Sequence, residues 1–265
     1  MIHNIVKDKA TKLFIILGCF FVANAIIAEF LGVKIFSLEK TLHLSPLNLP
    51  LFGNKYSFNL TAGVLLWPVV FIMTDIINEY YGQKGVRFLS YITAALISYA
   101  FIIVFIAIKT SPADFWISNG SKNGIPDMNV AYSNIFGQGL WIIIGSLVAF
   151  LFGQIIDVLV FHKIKQITGE RFIWLRATGS TLISQLIDSF VVLFIAFYIG
   201  PRISGSQGEP WPFDLVLAVG LGNYIYKFIM AIALTPVIYL VHNIIEKYLG
   251  STYARDMKRS AMNYN

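Results

Sequence analysis

Long apolar runs separated by short polar segments make up most of the chain, and the cleanest runs from Phe88 to Ile108, 21 residues without a charge between Arg87 and Lys109. As a helix that length rises about 30 Å, the thickness of a bilayer's hydrocarbon. Five further runs, broken only by isolated polar groups, occupy residues 12–33, 60–81, 139–161, 175–199 and 213–245. The pattern therefore predicts an all-α membrane protein with six transmembrane helices in one bundle and a single integral-membrane domain over residues 1–265. Pro68 and Pro236 fall inside two of the runs and are expected to bend those helices. Leu47, Leu49 and Leu51, then Tyr56, Phe58 and Leu60, alternate about Gly53-Asn54, which reads either as a small hairpin or as an irregular loop. Residues 114–129, rich in Asn, Gly, Ser and Pro, read as a flexible loop.

Composition agrees with the pattern. Of 265 residues 57% are apolar and 13% charged, the latter about half the share usual in soluble domains. So few charges exclude a soluble enzyme, a disordered chain and a disulfide-built secreted domain. The single Cys19 excludes an internal disulfide and a cysteine-built zinc site. The net charge of +6 follows a topological bias, with thirteen Lys and Arg on the side shared by both termini and six on the other. The positive-inside rule then places both termini in the cytoplasm, and nucleic acid is not an expected partner. Lys7, Lys9 and Lys12 ahead of an apolar stretch, with Ala23-Asn24-Ala25 after it, resemble a secretory signal. The apolar run continues through Phe30, Leu31 and Val33, which favours a retained span.

Candidate chemistry lies inside the spans. Glu29, Asp75, Glu79, Asp157, Asp188 and Lys227 are ionisable groups at membrane depth, five acids against one base. Each is costly there, so each is expected to face the bundle interior, water or an opposite charge. Asp75, Asn78 and Glu79 share a helical face, as do Gln154 with Asp157 and Gln185 with Asp188, while Asn24 and Asn223 add amides on the first and sixth helices. Carboxylates accept N–H groups and amides both donate and accept, which suits a flat solute with a purine-like edge. Glu79 reads equally as a wet interfacial carboxylate, Asp157 as a partner of His162 or Lys163, and Lys227 as a structural counter-charge. Glu29, near a helix end, reads as interfacial. Trp67, Trp141, Tyr224 and Tyr226 offer stacking faces or simple packing. The segment Leu151-Phe-Gly-Gln-Ile-Ile-Asp157-Val is matched by Leu182-Ile-Ser-Gln-Leu-Ile-Asp188-Ser, 31 positions on, as in repeated transporter architectures. No phosphate loop, metal-ligand spacing or nucleophile motif occurs, so no cofactor is expected.

Thr74-Asp-Ile-Ile-Asn-Glu-Tyr-Tyr-Gly82 followed by Lys84 resembles the hallmark of the queuosine precursor transporter family, also called the vitamin uptake transporter family. Further matches are Gly153-Gln-Ile-Ile-Asp157 with Phe161-His-Lys163, Trp174-Leu-Arg176 with Ser180-Thr-x-x-Ser-Gln-x-x-Asp188, and Tyr226-Lys227 with Thr235-Pro236. Asn24-Ala-Ile-Ile-Ala-Glu-Phe-Leu-Gly-Val-Lys34 looks like its long-loop branch. Ala177 departs from the polar residue expected after Trp-Leu-Arg. The resemblance implies a bacterial inner-membrane importer of 7-cyano-7-deazaguanine or its 7-aminomethyl relative, salvaged for queuosine in transfer RNA. It also implies a six-helix layout similar to the substrate-binding subunits of energy-coupling-factor transporters. The expected partners are that solute and the lipid bilayer, with self-association into a homo-oligomer admitted. Alternatives are a binding subunit for another vitamin-like or purine-like solute, and an intramembrane enzyme using paired carboxylates. The residues expected to bind the solute are Asp75, Asn78, Glu79, Gln154, Asp157, Gln185, Asp188, Asn24, Asn223 and Lys227.

Overall fold

The computed structural model describes residues 8–47, 49–51, 54–137, 139–169, 171–204 and 209–263. In chain order these form α1 (Lys9–Leu31), β1 (Ile35–Ser37), α2 (Leu38–Thr41), β2 (Leu49–Leu51), β3 (Asn54–Tyr56) and β4 (Asn59–Thr61). They continue with a 3-10 turn (Ala62–Leu65), α3 (Trp67–Lys109), α4 (Asp114–Ile117), a second 3-10 turn (Ser121–Asn123), α5 (Met128–Phe136), α6 (Leu140–Thr168) and α7 (Ile173–Leu193). A π turn (Phe194–Ile199), α8 (Gly200–Ser204), α9 (Phe213–Ala233), α10 (Thr235–Leu249) and α11 (Ser251–Asn263) complete it. Among the described residues five helical stretches are long and apolar enough to cross a membrane: α1, α3, α5 with α6, α7 with its continuation, and α9.

The run at 60–81 from residue 67 onward and the run at 88–108 form one helical element, α3, folded back at Gly82 (φ 69°, ψ −174°). Contacts with α1 show the reversal. Phe14, near the start of α1, packs on Tyr81 with ring centroids 4.9 Å apart, and Phe30, near its end, packs on Phe101 at 5.5 Å. The Ala28 carbonyl lies against Gly63, just ahead of α3. The two halves of α3 thus run antiparallel beside α1. Glycine is required at the bend, because its φ is positive and a Cβ there would lie 3.0 Å from the Ala261 carbonyl. Lys9 Nζ donates to the Tyr248 carbonyl at 3.0 Å, so both described chain ends and the Gly82 bend share one face.

Several expectations are corrected. Residues 59–65 form β4 and a 3-10 turn rather than the start of a span, with β4 antiparallel to β1 in the register Ile35–Thr61 and Ser37–Asn59. Pro68 does not bend a helix; it occupies the first turn of α3, where no N–H is needed. The run at 213–245 is two helices, α9 ending at Ala233 and α10 starting at Thr235 with Pro236 in its first turn. A hairpin does form, β2 against β3 with Leu49 opposite Tyr56, although Leu60 belongs to β4 and Gly53 lies outside the described residues, as does Lys7. Residues 114–129 contain α4, a 3-10 turn and the start of α5, which Asp127 caps through the N–H groups of Asn129 and Val130.

The core joins α1, α3, α6, α7 and α10 around Phe21, Val70, Ile76, Val158 and Ala177. Helices α6 and α7 approach closely because Gly145, Ala149 and Gly153 fall on one stripe of α6. A Cβ on Gly145 would sit 3.0 Å from the Val192 carbonyl, and one on Gly153 3.7 Å from Asp188 Cβ. That stripe continues to Asp157, whose Oδ1 lies 3.2 Å from Ser184 Oγ. The two Gln-x-x-Asp segments therefore face each other in reciprocal register, Gly153 against Asp188 and Asp157 against Ser184.

Candidate functional site

The first half of α3 runs through the centre of the bundle, every residue from Ile72 to Tyr80 being buried. Its polar groups consequently cannot escape to water, so each is either partnered by a neighbouring helix or left costly and unpaired. Thr74 donates to the Val70 carbonyl at 3.0 Å and meets Gln154 Oε1 at 3.1 Å, joining α3 to α6.

One stripe of α3, comprising Pro68, Phe71, Ile72 and Asp75, lines a cavity between helices. Ala177, Thr178, Thr181 and Gln185 of α7 form a second wall, and Tyr226, Lys227, Met230 and Ala231 of α9 a third. Trp67 and Val64 border it, as do Leu234 and Ile238 where α9 gives way to α10. Asp75 and Gln185 are each 2% exposed. Among the described residues, Asp75 Oδ1 and both the Oε1 and Nε2 atoms of Gln185 have no hydrogen-bond partner. A carboxylate and an amide in this condition can accept and donate to a guest, and the flat faces of Trp67 and Tyr226 border the same space. Lys227 also lines the cavity, but its Nζ charge is met by Asp188 Oδ2 at 2.5 Å, bridging α9 to α7.

Of the residues predicted from sequence, Asp75, Gln185 and Lys227 line this cavity, with Asp188 joined to it through Lys227. Asn78, Gln154 and Asp157 are buried but are not among its lining residues. Asn78 Nδ2, Gln154 Nε2 and Asp157 Oδ2 have no hydrogen-bond partner. Asn24 Nδ2 donates to the Phe20 carbonyl of its own helix at 2.8 Å, and half-buried Asn223 is not a lining residue. Trp67 and Tyr226 line the cavity; Trp141 and Tyr224 do not.

Glu79, four residues and about 6 Å beyond Asp75 along α3, is fully buried and not wet. Arg176 donates to it from Nε at 3.0 Å and from Nη2 at 2.8 Å, and Lys165 Nζ lies 3.2 Å from Oε2. Arg176 also donates to the carbonyls of Gly169 and Arg171, so it is fully engaged. Both cations lie near the ends of α6 and α7, where no signal in spacing alone points them inward. Glu29 is buried and accepts from Ser146 at 2.9 Å. Sequence reasoning from acids and amides also missed Thr178 and Thr181, although with Gln185 they repeat at helical spacing.

Residues 61–241 match the family described as "Putative vitamin uptake transporter". The "Probable queuosine precursor transporter" of Bacillus subtilis is 30% identical over 202 residues, covering 75% of this chain and 79% of that protein. A protein of the same name from Haemophilus influenzae is 27% identical over 249 residues, 92% of this chain and 93% of its own length. The "Queuosine precursor transporter" of Escherichia coli is 30% identical over 178 residues, covering 66% of this chain and 69% of its own. No solved structure matches the chain at a significant level.

Proposed function

The chain belongs to the vitamin uptake transporter family, and on that premise we propose that it imports a queuosine precursor, a 7-deazaguanine base, by seating it between α3, α7 and α9. It is a multi-pass membrane transporter and not an enzyme, which sets aside the intramembrane-enzyme alternative. The observation that carries the reading is the pair Asp75 and Gln185, buried groups with unpartnered atoms lining one cavity beside an indole and a phenol. A guanine-like edge presents N–H groups and carbonyl oxygens in one plane. Asp75 accepts its N–H groups, Gln185 donates and accepts, and Thr178 and Thr181 offer hydroxyls alongside.

In this reading α3 crosses the bilayer twice, giving six crossings, and the face that holds both chain ends and the Gly82 bend is cytoplasmic. The basic residues of that face, Lys84, Lys165 and Arg176 among them, support the assignment through the positive-inside rule. The membrane is the inner one of a bacterium, and the solutes are 7-cyano-7-deazaguanine, its 7-aminomethyl relative, or both. The test is queuosine recovery in transfer RNA of a strain unable to make or import precursors, expressing this chain and given each base in turn. Recovery with a deazaguanine supports the reading; none with either base, from protein present in the membrane, refutes it.

A further inference from the structure

We propose that Asp157 carries the coupling ion of transport, a proton, on the side of α7 turned away from the solute cavity; the inference rests on the transport reading above. Helix α7 presents two stripes. Thr178, Thr181 and Gln185 line the cavity, whereas Ser184 and Asp188 meet α6, at Asp157 and Gly153. Asp157 is 1% exposed, and among the described residues its Oδ2 has no hydrogen-bond partner. Among the described residues the ion pairs engage Glu79, Asp188 and Glu246, not Asp157. A bare carboxylate in that position is expensive, and a proton removes the expense.

The hydroxyl beside it points to the same conclusion. Ser184 has one hydrogen and two acceptors within reach, Asp157 Oδ1 at 3.2 Å and the Thr181 carbonyl at 3.1 Å. If the hydrogen goes to the carbonyl, as Ser180 donates to Ala177 at 3.2 Å, the Ser184 oxygen faces a carboxylate oxygen. A proton on Asp157 resolves this conflict: the carboxyl O–H donates to Ser184 Oγ, and Ser184 donates to Thr181.

The charged and titratable groups on elements packed around Asp157 are accounted for. On α3, Glu79 is held by Arg176 and Lys165, and Arg87 lies beside Gln154 and Val158 without an ion pair to Asp157. On α7, Asp188 is held by Lys227. His162 bonds Gln166 on the same helix, Glu29 of α1 accepts from Ser146, and Lys258 of α11 pairs with Glu246. Asp75 of α3, like Glu29, is buried outside these ion pairs; it lines the solute cavity, and its charge and that of Asp157 act on one another. Ser184 sits in α7 between Thr181 and Gln185, so seating a solute on that helix changes the bond to Asp157. By reciprocity, protonation changes affinity for the solute.

The test uses purified protein in sealed vesicles with labelled 7-cyano-7-deazaguanine. An acid-outside proton gradient is expected to drive accumulation by the natural protein. Asp157→Asn, which resembles the protonated state, is expected to lose that accumulation while still exchanging internal for external solute. Ser184→Ala removes the hydroxyl that bonds the carboxyl and should move the pH profile of accumulation. Gradient-driven accumulation by Asp157→Asn, or accumulation driven by a sodium gradient and not by protons, overturns the proposal. Should Asp157→Asn fail to fold, an unmoved pH profile in Ser184→Ala overturns it equally. If the natural protein neither exchanges nor accumulates the solute, the transport reading fails instead.

Discussion

Arg176 grips Glu79 with two parallel N–H groups, Nε to Oε2 at 3.0 Å and Nη2 to Oε1 at 2.8 Å, with neither side chain more than 1% exposed. Lys165 adds its ammonium at 3.2 Å and also donates to the Glu79 backbone carbonyl at 2.9 Å. Three helices, α3, α6 and α7, are thereby tied at one carboxylate. The site of Asp75 is one turn away, so this knot positions the wall of the cavity.

Removing one partner of such a pair leaves a buried charge uncompensated. Arg176→Ala is expected to cost about 3–5 kcal/mol, read as a lower melting temperature in detergent. Arg176→Lys should recover little, because a lysine cannot reproduce the two-pronged geometry. A melting temperature equal to that of the natural protein would contradict the arrangement.

Gln185→Leu separates binding from folding. The amide has no partner inside the protein, so replacing it with an apolar group of similar size should leave stability unchanged or raised. Affinity for a deazaguanine base should fall about tenfold to a hundredfold, the loss of one or two hydrogen bonds to the guest. Binding calorimetry of the purified variant checks this, and unaltered affinity would remove Gln185 from the site.

Gly82→Ala tests the reversal of α3. A side chain there meets positive φ and the Ala261 carbonyl together, which should cost about 1–3 kcal/mol and loosen α11 from the bend. Limited proteolysis of the C-terminal helix, faster in the variant than in the natural chain, is the expected readout.

Glu39 supplies a pH dependence outside the spans. Burial works to raise its pKa, but the Phe58 N–H at 2.7 Å, with the Ser37 hydroxyl at 3.2 Å, holds it below the usual 4.5. A carboxyl with a lowered pKa contributes stability above its unfolded value, and that contribution is lost as pH falls through the folded one. Acidification from pH 5 downward should therefore loosen the link between α2 and the segment before β4, seen as faster exchange of the Phe58 amide. Glu39→Gln should show the faster exchange at neutral pH and little further change on acidification.

Much of the architecture was legible because hydrocarbon imposes one rule on every span: twenty or so apolar residues and no unsatisfied backbone. The apolar runs found the membrane helices, and Pro236 marked where α9 gives way to α10. Where the runs misled, local geometry overruled composition. Apolar residues 60–66 pair as β4 and a tight turn because β1 offers an antiparallel edge, and Pro68 starts a helix that it was expected to bend. The isolated acids and amides were visible as exceptions to an apolar background, and Asp75 and Gln185 do meet at one cavity.

Which partner each acid takes was beyond a one-dimensional reading, since ion pairing is set by distances between helices that are far apart in sequence. Glu79 and Arg176 are 97 positions apart, Asp188 and Lys227 39. From residue order came the membrane environment, the helical class and the roster of polar groups that oil cannot tolerate unaided. Packing alone decided that Glu79 is neutralised, that Asp75 faces a cavity and that Asp157 lies behind it. The physical reason is that burial cost is a property of each residue, whereas its compensation is a property of neighbours brought within about 3 Å by the fold.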